Sequence, residues 1–337
     1  MESRLDTLDF RNYSIAVVIP AYRVEQYIET VLADVPGYIR HIIVVNDASP
    51  DSTRQKVEAL IPRDARIVLV NHEKNKGVGG AMISGYKKAM ELGAQVVVKM
   101  DGDGQMSPAY LPDLLTPLLL GQADFTKGNR FRDLPALSRM PFIRRFGNVG
   151  LSFCSKAATG YWNCFDPTNG YLAIRTDVLA QLPLERIHNT YFFETSLLAQ
   201  LYLLGAFIRE IPMPSLYAGE RSNLSIAKVM LEFPPKLLQA FVRRLLVKYF
   251  VFDFSIISIY ILTSLPMILF GLIFGIVKWI KYGQMGIPAP TGTVMLPVLS
   301  LMLGVQILLA AIGIDLQSVP AKPLFDTPLP PHPQDAP

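Results

Sequence analysis

The chain has 337 residues, half of them hydrophobic and 18% charged, with a formal net charge of +4. That length suits one large domain or two modest ones, and so small a charge excess argues against a nucleic-acid binder, whose domain would be far more basic. Cys154 and Cys164 lie too far apart for a zinc knuckle or a C-x-x-C redox pair, and His41, His72, His188 and His332 form no ligand spacing.

The N-terminal run MESRLDTLDFRNY is charged throughout and lacks the apolar stretch of a secretory signal, so the region before any membrane span is expected to stay cytoplasmic. Four short apolar, β-branched runs follow: 14–20 (SIAVVIP), 41–47 (HIIVVND), 66–71 (RIVLVN) and 95–101 (QVVVKMD). Strands covered on both faces have this composition. Between and after them the pattern predicts helices over 24–35, 51–60, 77–92 and 108–120, each beside a turn or capping signal. The alternation predicts an α/β domain with a mainly parallel, Rossmann-like sheet.

In such sheets ligands bind beyond the carboxyl ends of the strands. There the sequence gathers Pro20 and Tyr22, then Asn46 and Asp47, then Asp101 and Asp103. No G-x-G-x-x-G follows the first strand, which runs into PAYRVE, and no G-x-x-x-x-G-K-[ST] is present, so dinucleotide and P-loop chemistry are disfavoured. In VKMDGDGQ, a D-x-D pair alone is ordinary turn chemistry. At a strand end shared with two other polar strand ends, Asp101, Asp103 and Gln105 offer oxygen ligands for Mg2+ or Mn2+, with a substrate diphosphate completing the shell.

Toward the C-terminus the chain turns apolar. The stretch 225–250 mixes Leu, Val and Phe with Lys236, Arg243, Arg244 and Lys248, as interfacial helices against anionic headgroups do; an ordinary packing helix is the alternative. Two uncharged runs, 254–277 and 293–314, each exceed the ~20 helical residues needed to cross a bilayer core. Arg243, Arg244 and Lys248 before the first run favour positive-inside orientation, and Lys278 and Lys281 between the runs reduce the asymmetry. The tail FDTPLPPHPQDAP is Pro-rich and expected to be disordered. The predicted organisation is therefore 1–222 catalytic, 223–252 juxtamembrane, 253–316 transmembrane hairpin and 317–337 disordered.

The blocks VVIPAY, VVNDASPDST, NKGVGGAM, KMDGDGQ, KGNRF and DPTNGY, followed by the hairpin, resemble the inverting GT-A glycosyltransferases of the dolichol-phosphate mannosyltransferase type. The similarity is greatest to the bacterial polyprenyl-phosphate (undecaprenyl-phosphate) glucosyltransferases. It implies transfer of a hexose from a nucleoside diphosphate sugar, UDP-glucose by preference and GDP-mannose as the alternative, to polyprenyl phosphate at the cytoplasmic face of the inner membrane. It further implies a homo-oligomer as large as a tetramer. By resemblance, Pro20 and Tyr22 line the base and Asp47 reads its edge, while Asp101, Asp103 and Gln105 hold metal and diphosphate. Arg130 and Arg144 receive the acceptor phosphate, Asp166 sits at the sugar–acceptor junction, and Arg221 with Ser222 closes on the diphosphate. The chain departs from the family's usual PAYNE block at Arg23 and Val24, and from its DD pair at Asn46. A processive synthase would carry a Q-x-x-R-W block, which is absent, and a nucleotidyltransferase would carry a basic glycine loop after strand one, where PAYRVE stands. A non-catalytic lipid carrier would have no use for three polar strand ends.

Overall fold

The computed structural model describes residues 8–130, 142–214 and 226–332. The four predicted strands form where the β-branched runs lie: β1 (Ile15–Ala21), β2 (His41–Asn46), β3 (Ile67–Asn71) and β4 (Val96–Lys99). β1 and β4 are buried along nearly their whole length because both faces of the sheet are covered, which explains their unbroken apolar character. Three further strands complete a seven-stranded sheet of order β3-β2-β1-β4-β6-β5-β7: β5 (Phe125–Asn129), β6 (Leu172–Arg175) and β7 (Ile208–Pro212). β6 runs antiparallel between β4 and β5, and the remaining pairs are parallel. The sheet is thus the mainly parallel α/β type expected, with one reversed strand.

The helices are α1 (Ile28–Ala33), α2 (Thr53–Leu60), α3 (Gly77–Glu91), α4 (Leu111–Leu119), α5 (Phe142–Thr159), α6 (Thr176–Leu179), α7 (Phe193–Leu204), α8 (Ile226–Leu246), α9 (Ile256–Met285) and α10 (Thr291–Gln317). α1 starts later than the sequence pattern predicts. Arg23 adopts a left-handed backbone (φ 58°), and the amides of Val24 and Glu25 are held by Thr53 and Asp51, so residues 23–27 form a loop tied to the start of α2.

Two compact units divide the chain: residues 1–241 with 320–337, and residues 242–319. In the first, Phe233 and Leu237 of α8 pack with Ala158 and Phe192. That part of the stretch expected to lie on headgroups is instead core packing, whereas Leu238, Val242 and Leu246 remain exposed.

The tail corrects an expectation. Residues 320–332 are ordered and strap the edge of the sheet opposite the carboxyl ends of β1, β2 and β4. The amides of Leu324 and Phe325 donate to the buried Asp124 carboxylate at 2.8 and 3.4 Å. Arg175 donates to the carbonyls of Phe325 and Thr327 and lies over the Phe325 ring. Leu329 N–H bonds to Leu119 O, Gln95 Nε2 to Pro330 O, and His332 N–H to Asn12 O. Composition suggested disorder because a Pro-rich polar segment buries little apolar surface; here the residues between the prolines supply amide donors, and proline's fixed φ lowers the cost of ordering an extended chain.

In the second unit, α9 and α10 are 30 and 27 residues long and apolar enough to cross a membrane, with most of their surface uncovered by protein. They pack closely where Gly271 meets Leu301 and the carbonyl of Pro297, a contact that any Cβ would obstruct. Arg244 and Asp315, both nearly inaccessible, form a two-point ion pair at 2.7 and 3.0 Å, and Tyr249 Oη donates to the same carboxylate.

Candidate active site

The carboxyl ends of β1, β2 and β4 do converge. Pro20 pairs in register with Val45, Asp47 N–H bonds to Ala21 O at 3.0 Å, and Tyr22 emerges beside them 43% exposed. Asp47 itself turns inward. Its Oδ1 accepts the Lys76 amide at 2.8 Å and contacts His72 Nδ1 at 2.7 Å, and its Oδ2 accepts the Gly77 amide at 2.8 Å. His72 Nε2 continues the network to Ser84 Oγ. At 3% exposure Asp47 presents little carboxylate surface, and its bonds hold the start of α3. The Gly79 and Gly80 amides are taken by the Asn189 carbonyl, which leaves the glycine-rich start of α3 enclosed by protein.

The acidic turn differs from an extended strand end. β4 stops at Lys99, and the chain folds back at once: Asp101 N–H points to Met106 Sδ at 3.2 Å, and Gln105 N–H donates to Asp103 Oδ1 at 3.0 Å. Gly104 takes φ +78°, the left-handed conformation this reversal requires. Asp101 and Asp103 are partly exposed and Gln105 is exposed. Asp101 Oδ1 accepts Lys99 Nζ at 2.6 Å. Lys99 is 1% exposed and lies 3.6 Å from Glu194 Oε1 at the start of α7. Gly170 of DPTNGY covers this pair so closely that a Cβ would stand 2.5 Å from Lys99 Nζ and 3.1 Å from Asp101 Oδ2.

The donor set fits a hard divalent cation that shares its shell with a diphosphate. Two carboxylates on one tight turn suit Mg2+ or Mn2+, which need only one or two protein carboxylates. Among the described residues no group of three or more His, Cys, Asp or Glu side chains is placed to hold a metal ion by itself.

Of the residues expected to receive the acceptor phosphate, Arg130 grips Asp166: Nε and the backbone amide reach Oδ2 at 2.8 and 3.2 Å, and Nη2 reaches Oδ1 at 3.0 Å. Asp166 is fully buried while the Arg130 side chain is 40% exposed. Burial alone would raise the Asp166 carboxyl, but the Arg130 guanidinium outweighs it and holds the group below the usual carboxylate range. Arg144 lies in the first turn of α5, with its side chain outside the described residues; Arg221 and Ser222 also lie outside them.

Several residues here escaped the sequence reading. Glu210 Oε1 accepts the Phe165 and Asp166 amides at 2.7 and 3.0 Å, and its Oε2 accepts Asn129 Nδ2 at 2.6 Å, which fixes the DPTNGY loop against β5 and β7. Lys127 is wholly buried and donates to the Asn169 carbonyl, and burial lowers its ammonium below the ordinary lysine value. A lysine inside each of the short strands QVVVK and FTKGN was the available signal, since an isolated ammonium is costly to bury and implies nearby partners.

Comparison with known proteins identifies the family. The profile described as Glycosyl transferase family 2 matches residues 16–182. The UDP-N-acetylglucosamine–dolichyl-phosphate N-acetylglucosaminyltransferase of Methanococcus voltae is 30% identical over 234 residues, 65% of this chain and 92% of that protein. The undecaprenyl-phosphate mannosyltransferase of Micrococcus luteus is 29% identical over 202 residues, 59% of this chain and 82% of its own length. Among solved structures, TarS of S. aureus in complex with UDP-GlcNAc superposes with a TM-score of 0.45 at 20% identity, covering 69% of this chain and 66% of that one. The Pyrobaculum calidifontis mannosyltransferase with GDP-Man and Mn2+ gives 0.43 at 19% identity, covering 64% and 63%.

The fold is GT-A-like, and the chain belongs to glycosyl transferase family 2. Its curated relatives include transferases named for dolichyl and undecaprenyl phosphate and a polyprenol monophosphomannose synthase.

Proposed function

We propose that the protein transfers a hexose from a nucleoside diphosphate sugar to a polyprenyl phosphate, with inversion, at a membrane surface. The observation that carries this reading is the acidic turn Asp101–Asp103 at the end of a central strand of a family 2 sheet, in a chain that also carries two apolar helices of membrane-spanning length. A polyprenyl chain is costly to extract from a bilayer, at ~0.8 kcal/mol for each CH2, so the transferase must act where the lipid is.

In this reading Asp101, Asp103 and Gln105 would hold Mg2+ or Mn2+, which when bound would supply positive charge to offset the negative charge developing on the departing diphosphate. Tyr22 and Pro20 flank the base. Asp47 acts indirectly by holding the α3 start and His72 in place. Arg130 presents an anchored, partly exposed guanidinium, a geometry suited to a phosphate monoester. Asp166 sets the orientation of that guanidinium. An acceptor phosphate with a second pKa of about 6 is already largely dianionic near neutral pH, so no strong base is required. Arg144, Arg221 and Ser222 remain assigned by resemblance, to the acceptor phosphate and the closing segment.

The relatives are named for N-acetylglucosamine and mannose, whereas glucose rests on the resemblance alone. The test is to incubate detergent-solubilised protein with radiolabelled UDP-glucose, UDP-N-acetylglucosamine and GDP-mannose in turn, with undecaprenyl phosphate, with and without EDTA. The expected result is label in a lipid-extractable monosaccharide from one donor, abolished by EDTA and by Asp103→Ala. Label in a polymer, or none in lipid from any donor, would overturn the reading.

A further inference from the structure

We infer that Lys99 is a positioning residue that makes cation binding at the acidic turn depend on the donor diphosphate. The inference rests on the proposed function in one respect, that Asp101 is a cation ligand.

Lys99 is the last residue of β4, a strand flanked by β1 and β6, where its register partners are the apolar Val18 and Leu172. Another aliphatic residue would satisfy packing at such a position. An ammonium there needs compensating charge close by. The fold supplies it from two elements: Asp101 Oδ1 at 2.6 Å from the acidic turn, and Glu194 Oε1 at 3.6 Å from the first turn of α7. The third side is closed by Gly170, where a Cβ would stand 2.5 Å from Nζ. The ammonium is therefore confined between two carboxylates of unequal exposure, with Glu194 at 14% and Asp101 at 32%.

Two consequences follow from elementary electrostatics. The hydrogen bond from Lys99 fixes the Asp101 carboxylate and directs Oδ1 inward. The same positive charge cancels much of the attraction that Asp101 would otherwise exert on a divalent cation. Asp101 and Asp103 alone are then a poor cation site, and the missing negative charge arrives with a diphosphate. Cation and donor bind as a pair, and the acidic turn avoids trapping free metal. Glu194 sets the balance because it draws part of the ammonium's charge away from Asp101.

Charge removal and structural damage give opposite signs, which makes the idea testable. Mn2+ binding to the full-length protein in detergent is followed by electron paramagnetic resonance of free Mn2+, without nucleotide and with UDP or GDP. Wild type is expected to bind Mn2+ weakly alone and at least about tenfold more tightly with the matching nucleotide. Lys99→Met should tighten nucleotide-free Mn2+ binding about tenfold. Glu194→Gln, which leaves Lys99 wholly on Asp101, should weaken it about threefold with an unchanged melting temperature. Unchanged or weaker binding in folded Lys99→Met overturns the inference and leaves the proposed function standing. If Lys99→Met does not fold, Glu194→Gln decides: weaker binding supports the inference, and unchanged or tighter binding overturns it. A wild type that binds no Mn2+ with either nucleotide refutes the metal-dependent reading and this inference together.

Discussion

The buried Asp124 carboxylate is one anchor of the strap formed by residues 320–332, and its graded substitution tests how much that anchor contributes. Asp124 Oδ2 accepts the Phe207 amide at 2.7 Å and the Leu324 amide at 2.8 Å, whereas Oδ1 makes a long 3.4 Å contact with Phe325 N–H. Asp124→Asn retains both short bonds if its oxygen takes the Oδ2 position, so it loses charge assistance and should cost about 1 kcal/mol. Asp124→Ala leaves two amide donors without partners, at about 1–3 kcal/mol each, less where water enters, for a total of about 3 kcal/mol. For a unit of this size 1 kcal/mol moves the melting temperature by roughly 2–4 °C. Thermal unfolding should therefore show a loss of about 2–4 °C for the Asn variant and about 6–12 °C for the Ala variant. Hydrogen exchange should show the Leu324 and Phe325 amides losing protection in the Ala variant. Wild-type melting and protection in Asp124→Ala would refute the claim that the tail is held by this group.

Other expectations concern the site. Asp166→Asn should cost about 1–2 kcal/mol, less than a fully enclosed pair because Arg130 is partly exposed and regains water, and should lower transfer about tenfold or more, measured as initial rate against acceptor concentration. The Asp166 carboxyl is held below its unfolded value of about 3.9, so its contribution to stability is complete above that pH and disappears as pH falls through the lower folded value. The melting-temperature gap between wild type and Asp166→Asn should accordingly be constant from about pH 7 to 5 and close below about pH 4. Asp47→Ala leaves the Lys76 amide without this acceptor and the Gly77 amide with Asn75 Oδ1 at 3.1 Å, and should cost about 1–3 kcal/mol in chemical denaturation. Gly170→Ala forces a Cβ against Lys99 Nζ and Asp101 and should cost about 1–3 kcal/mol while impairing Mn2+ binding in the presence of nucleotide.

Much of the fold was legible because four β-branched runs encode strands covered on both faces, and because uncharged runs of this length have few other uses. β5 and β7 were not legible. FTKGN and IREIP carry polar residues whose partners, Asn169 for Lys127 and Asn129 for Glu210, come from distant parts of the chain. The acidic turn was found from its residue types, but the inward bond from Lys99 was not, since in a continued strand Lys99 and Asp101 would share a face without indicating whether their charged ends meet. Asp47 illustrates a different limit. An acid at a strand end looks the same in sequence whether it faces a ligand or caps a helix, and only the approach of α3 decides. The tail misled through composition, because a proline-rich segment binds by its intervening amides.

The central claim is that a divalent cation and a nucleotide diphosphate meet at Asp101 and Asp103. The most direct measurement is the anomalous signal of Mn2+ in crystals of the full-length protein grown with Mn2+ and UDP or GDP. The account predicts a peak within about 2.5 Å of a carboxylate oxygen of Asp101 or Asp103, bridged to the diphosphate. A nucleotide-bound structure with manganese elsewhere, or with the diphosphate distant from this turn, would contradict it.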